Sequence, residues 1–391
     1  MVRMSSSILL LPGDVGASLF DAARAAAPAV LDLAADIARV PAPTNDESRR
    51  SEFIASLMDS YGFCQVVVDE LGDVTGRLSG IVSTSSLLLA GHIDTVFPLG
   101  TSLDIISDSG RTRGPGIGDN SLGIAAGLMT PRMLERASVE LATDLIVTGN
   151  VGEEGLGNLR GMTAVMDANP EIGAVIAIEG HNLGRVTHVA VGSKRYSVTV
   201  KGPGGHSWGD YGSANAISVA AEIIHDLNRI HLSANPKTTI NVGTIEGGLS
   251  VNSIAPSAVF LLDLRSVEEK SLRRLSESVE RILSVERRGV QVQWEVIGER
   301  PAGVVPADSR IIRLAGGILE SIGIQPVGDA SSTDANIPIS RGIPAVCVGL
   351  TTGGNVHRPD EYIDNEPLAD GLYQLLALTV TVSGFLSHGE L

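Results

Sequence analysis

The chain has 391 residues, 43% of them apolar and 19% charged, and carries a formal charge of -16. That length exceeds the usual single core and predicts two domains. The acidic balance excludes nucleic acid and anionic membrane as partners, because both need a basic face, but leaves small anionic substrates open.

The two cysteines, Cys64 and Cys347, sit in apolar runs and read as buried free thiols of a reducing compartment. The apolar run over 8–12 is too short for a leader core and no stretch approaches a membrane span, so the expected location is cytoplasmic. Residues 17–40 place Leu19, Ala23, Ala27, Val30, Leu33 and Ile37 on one stripe and predict a helix. Continuous apolar runs then recur at 87–90, 145–148, 174–178 and 345–348. Such runs suit strands covered on both faces, which predicts an α/β fold with a mainly parallel sheet flanked by helices. A helix is expected over 122–129, ended early by Pro131.

Between 191 and 302 the texture changes. An alternating strand at 196–201, a helix at 213–227, strands at 238–244 and 257–265, a helix carrying Leu272, Leu275, Val279, Ile282 and Leu283, and a strand at 290–297 give the order β-α-β-β-α-β. That is a ferredoxin-like α+β module inserted into the larger domain. The expected organisation is a catalytic domain over 1–190 and 303–391 with a lid over 191–302. Helices at 309–322 and 367–386 close the chain.

Open α/β sheets bind ligands outside the carboxyl ends of their strands. There the apolar runs release His92 and Asp94, then Glu153 and Glu154, then Glu179, and finally His357, while Asp119 lies in GPGIGDNS. Each alone reads as a helix cap, a loop charge or a core histidine; leaving one sheet edge, they share one crevice. Carboxylates gathered there raise one another's pKa, and no matching cluster of lysines and arginines accompanies them, so metal ions are the economical counter-charge. Two histidines and three carboxylates suit zinc, with cobalt or manganese also accepted. Two divalent ions against Asp119, Glu154 and Glu179 leave one positive charge, which a bridging hydroxide would offset. Residues two apart in an extended exit point the same way, so Asp94 can accept the second ring proton of His92. The side chains of Glu153 and Glu154 diverge, so that one can ligate while the other serves as general base.

The stretches GHIDTV, GPGIGDNSLG, GEEGLG, IAIEG, KGPGGHSWGD and NVHRPDEYI occur in this order over nearly the whole chain. Together they resemble the co-catalytic dizinc exopeptidases and deacylases, a family that includes carboxypeptidase G, acetylornithine deacetylase, succinyl-diaminopimelate desuccinylase, aminoacylase and the bacterial tripeptidase. The resemblance implies a zinc-exopeptidase-like catalytic domain with a lid and dimerisation domain, and two Zn2+ per subunit. Asp119 would bridge both ions and be followed by a cis peptide bond, His92 and Glu179 would complete one site, and Glu154 and His357 the other. Glu153 would be the general base and Asp94 the orienter of His92. The resemblance further implies a homodimer through the lid, with His206 polarising the scissile carbonyl in the partner's site, and Asn252 and Arg265 near the substrate's polar groups. Ser331 and Ser332 stand where many members have glycines, which implies an altered substrate pocket near Asp334 and Asn336.

Gly205 to Gly209 also satisfies G-x-S-x-G, but the glycines before it and the Gly209–Gly212 stretch after it do not suit the strand-to-helix elbow that a nucleophilic Ser207 needs. The core expectation is hydrolysis of an amide bond in a small peptide or N-acyl amino acid, with Glu179 leaning toward a carboxypeptidase or deacylase. GEEGLGNLRG and the segment 192–210 resemble tripeptidase-like members, so an aminopeptidase stands beside it, with an arylamide hydrolase and a metal-free binding homologue as further readings.

Overall fold

The computed structural model describes residues 11–108 and 110–391, so the beginning of the apolar run, residues 8–10, lies outside them. The chain divides into two compact units, one of Met1–Val189 with Val305–Leu391 and the other of Ala190–Val304.

The first unit is built on a mixed sheet with a parallel centre. Its strands run in the order Cys64–Val68, Val74–Leu78, Thr143–Asn150, Val82–His92, Ile172–Glu179, Ala345–Gly349 and Arg185–Ala190. The four central strands are mutually parallel, and antiparallel strands flank them. Leu87, Leu88, Leu89 and Ala90 are fully buried, because helices cover both faces of a parallel sheet. The helices Gly13–Ala38, Leu122–Ala137 and Leu368–Ser387 pack on one another as part of that cover. Register sets the functional edge: His92 lies opposite Asn150, Ala90 opposite Ala177, and Glu179 opposite Gly349. The polar groups that follow the apolar runs therefore leave the sheet side by side.

The second unit follows the expected β-α-β-β-α-β order. Its antiparallel sheet runs Thr238–Gly247, Ser257–Ser266, Gly192–Lys201 and Gln291–Arg300. Along Ser257–Ser266 burial alternates residue by residue, the mark of a sheet with one packed face. That face carries Tyr196, Val198, Phe260, Leu262 and Leu264, which pack against Ala220, Ile223, Leu275 and Val279 of the helices Ala216–Leu227 and Glu269–Leu283.

Three local expectations are corrected. The helix at Leu122 does not stop at Pro131 but runs to Ala137 with the proline inside it. Almost every residue from Leu122 to Leu134 is buried, and that burial outweighs the roughly 3 kcal/mol of a mid-helix proline. Cys347 is buried but Cys64 is exposed, because its strand is the sheet's edge and pairs on one side only. The helix Leu368–Ser387 is long and apolar enough to cross a membrane, yet most of it is buried in the protein, as befits a core helix.

Replacing Phe260, fully buried in the second unit, by alanine should cost about 3–5 kcal/mol. Chemical denaturation of the full chain, followed by circular dichroism, measures this.

Candidate metal centre

His92 ends its strand almost completely buried, at 1% exposure. Its Nε2 lies 3.1 Å from Oδ1 of Asp119 and 3.9 Å from Oε2 of Glu179. On the other side of Asp119, Nε2 of His357 lies 3.0 Å from Oδ2 and 3.0 Å from Oε1 of Glu154. Donor atoms of His92, Asp119 and Glu179 fall within 4.8 Å of one another, and so do those of Asp119, Glu154 and His357. Two three-residue groups thus share the Asp119 carboxylate, one oxygen to each. A third group joins Glu153 to His92 and Glu154 within the same limit. The peptide bond after Asp119 is cis. His357 holds a φ of +65°, a left-handed conformation that a non-glycine residue adopts only when its surroundings hold it there.

The charges interlock. Burial works to raise Asp119, but hydrogen bonds from His357 and His92 outweigh it and hold the carboxyl far below the usual carboxylate range. Burial would lower His92, yet Asp119, Asp94, Glu179 and Glu153 together push it well above the ordinary histidine value. Hydrogen bonds to Asp119 and Glu154 raise His357 to about 10. Glu179 is pushed well above the carboxylate range, by burial first and then by Asp119, Glu153 and Asp334, against the pull of His92. The gathered carboxylates thus pull protons toward His92 and His357, where cations would serve instead. A mixed set of imidazole nitrogens and carboxylate oxygens, close-set and half shared, fits a pair of divalent ions of the zinc, manganese or cobalt kind.

The match to Peptidase family M20/M25/M40 extends over residues 88–381. The chain belongs to that family. It is therefore a member of a peptidase family with metal-dependent chemistry. A succinyl-diaminopimelate desuccinylase of Corynebacterium glutamicum is 24% identical over 340 residues, which are 85% of this chain and 90% of that one. Among solved structures, a tripeptidase of Staphylococcus aureus superposes with a TM-score of 0.76 at 20% identity, over 92% of this chain and 99% of that one. A dinuclear metal-binding M20 peptidase of Bacillus subtilis gives 0.65 at 17% identity, over 92% and 99%.

Within this M20 chain, Asp94 is differently engaged from the sequence expectation. His92 Nδ1 is 3.1 Å from the Asp94 backbone carbonyl and 3.6 Å from its carboxylate. That carboxylate, fully buried, accepts the backbone N–H groups of Glu153 and Glu154, each at 2.9 Å, and the Thr44 hydroxyl at 2.9 Å. Asp94 thereby fixes the main chain of both glutamates. Behind it lies Arg50, also buried, which donates to the carbonyls of Ile93 at 2.8 Å and Val40 at 2.6 Å. Burial lowers the guanidinium to about 10, and the nearby Asp94 charge partly offsets the loss.

Asp334 and Asn336 lie inside the wall of the unit, 2% and 0% exposed. Asp334 accepts from the Asn150 amide at 2.8 Å, and the Asn336 side chain accepts the Thr333 N–H at 3.0 Å. In the second unit, Nδ1 of exposed His206 accepts N–H groups of Trp208 at 3.1 Å and Gly209 at 3.3 Å, which puts the ring proton on Nε2. Asn252 accepts the Ser207 N–H at its carbonyl, and Arg265 donates to Asp263 at 2.7 Å. No helix starts after Ser207 before Ala216, so the nucleophile elbow is absent.

Sequence reasoning did not single out Thr44, Arg50, His181 or Glu361. Glu361 falls inside the quoted NVHRPDEYI and His181 directly follows the quoted IAIEG, four and two residues after proposed ligands.

His357, raised to about 10, holds a proton at pH 7 that an incoming cation must displace, and the upward shifts of His92 and Glu179 act in the same direction. Binding of Zn2+ should release protons, and affinity should rise as pH rises. Calorimetric titration in buffers of different ionisation enthalpy measures the release; absence of net release contradicts this account.

Proposed function

We propose that the chain hydrolyses the amide bond of a small peptide or N-acyl amino acid at two divalent ions, Zn2+ by preference. The observation that carries this reading is the Asp119 carboxylate, with His92 on one oxygen and His357 on the other. His92, Asp119 and Glu179 would hold one ion, and Asp119, Glu154 and His357 the other. Bound there, the ions would polarise the scissile carbonyl and make water acidic enough to attack at neutral pH.

Glu153 is 7% exposed, and its backbone N–H is anchored on Asp94 at 2.9 Å. Its carboxylate takes the proton of the attacking water and delivers it to the leaving nitrogen. His206, with its proton on Nε2, would polarise the scissile carbonyl in the site of a partner subunit.

The loops that carry the site also present apolar side chains to solvent: Val96 at 39%, Leu99 at 56%, Leu156 at 51% and Val356 at 42% exposed. Exposed apolar surface beside a reactive centre favours a substrate with an apolar group next to the scissile amide. A deacylase or carboxypeptidase is supported by the similarity to the desuccinylase. The second unit leaves two long outer strands with free edges, which suits a homodimer formed through it.

Glu153→Ala should lower turnover at least about 100-fold while both metals stay bound. Glu154→Ala should lose one metal per chain by elemental analysis. Retention of activity in the first variant, or of both metals in the second, contradicts these roles. On a panel of N-acyl amino acids, dipeptides and tripeptides, kcat/KM should be highest where an apolar residue flanks the bond. A preference for acidic substrates argues against the apolar rim.

A further inference from the structure

Glu361 is fully buried, four residues beyond His357. Its carboxylate collects four donors. Oε1 accepts the backbone N–H of Gly118 at 2.8 Å, the N–H of Asp119 at 2.8 Å and His181 Nε2–H at 2.9 Å. Oε2 accepts the N–H of Gly116 at 3.0 Å. The Gly114 N–H donates to the Glu361 backbone carbonyl at 2.9 Å, so the whole turn leading to Asp119 is laced to one residue.

The glycines of that turn are explained by the same contact. A Cβ on Gly118 would stand 2.2 Å from Nε2 of His181, and one on Gly353 would stand 2.7 Å from its Nδ1. Gly116 holds a φ of +69°. The imidazole is wedged between two backbones that only glycine lets approach so closely.

Glu361 and His181 belong to no ligand group, yet they join three ligand-bearing segments. His181 follows Glu179 by two residues, Glu361 follows His357 by four, and their shared hydrogen bonds end on the backbone of Asp119. Successive backbone N–H groups turned toward one point make an anion-binding concavity, and a buried carboxylate fills it more strongly than a neutral group.

We infer that Glu361 and His181 form a positioning pair that sets the Asp119 carboxylate between its two histidines before any cation arrives. This rests on the reading of Asp119 as the shared ligand, and on no assumption about substrate. A glutamine at 361 offers one acceptor oxygen and turns an N–H2 toward the remaining donors, so the turn would lose its fixed geometry.

The test is titration of metal-free full chain with Co2+, read by the visible absorption of the bound ion, with folding checked by circular dichroism. Wild-type protein should take up two ions per chain; failure at this step overturns the dimetal reading rather than the pairing. With wild type loaded, Glu361→Gln should bind Co2+ about 10- to 100-fold more weakly and with a changed absorption envelope. His181→Asn should shift affinity in the same direction, which keeps the test decisive if Glu361→Gln does not fold. Ser383→Ala removes a buried hydroxyl that accepts the Thr143 N–H at 2.9 Å, at the opposite end of the sheet. It should lower the thermal midpoint and leave the Co2+ titration unchanged. The inference is overturned if either pair variant folds and binds Co2+ like wild type, or if Ser383→Ala weakens binding as much as they do.

Discussion

The Asp119 carboxylate faces two imidazoles at once, and the catalytic unit is arranged to make that possible. Neither histidine could meet it through local sequence alone, since His92 ends a parallel strand and His357 sits in a left-handed turn more than 200 residues later. The parallel register brings one partner and the turn before Glu361 brings the other. Gathering three carboxylates at one place is electrostatically costly, and the raised His92, His357 and Glu179 register that crowding.

Polar support behind the ligands is as specific as the ligands themselves. Asp94 spends its carboxylate on the main chain of Glu153 and Glu154 rather than chiefly on the His92 ring. One buried acid thereby sets the main chain of Glu153 and Glu154, the proposed base and ligand, together. Arg50 ties the carbonyl after His92 to the end of the first helix, so the strand exit is held from behind without a competing carboxylate contact.

The architecture was legible because burial on both faces writes itself as unbroken apolar runs, and burial on one face as alternation. The runs at 87–90, 145–148, 174–178 and 345–348 all became central strands. His92, Glu153, Glu154, Glu179 and His357 were legible because each comes after such a run, whereas Asp119 lies in the glycine-rich GPGIGDNS ahead of a helix. Pro131 misled because local propensity says nothing of how completely a helix will be buried. Cys64 misled because an apolar run does not reveal whether its strand lies at the centre or the edge. Asp334 and Asn336 were singled out through the family resemblance, and they lie buried. Glu361 escaped notice because three of its four donors are backbone amides, which leave no trace in residue type, and His181 gains its place through Glu361.

The edge position of Cys64 has a practical side. The only other thiol, Cys347, is enclosed within the central sheet, so a thiol-directed fluorophore would attach to the native chain at one place. That place lies on the outermost strand, opposite Arg77 and set back along the register from the ligand edge. The unaltered protein thus carries its own attachment point for an optical label, away from the residues of the metal centre.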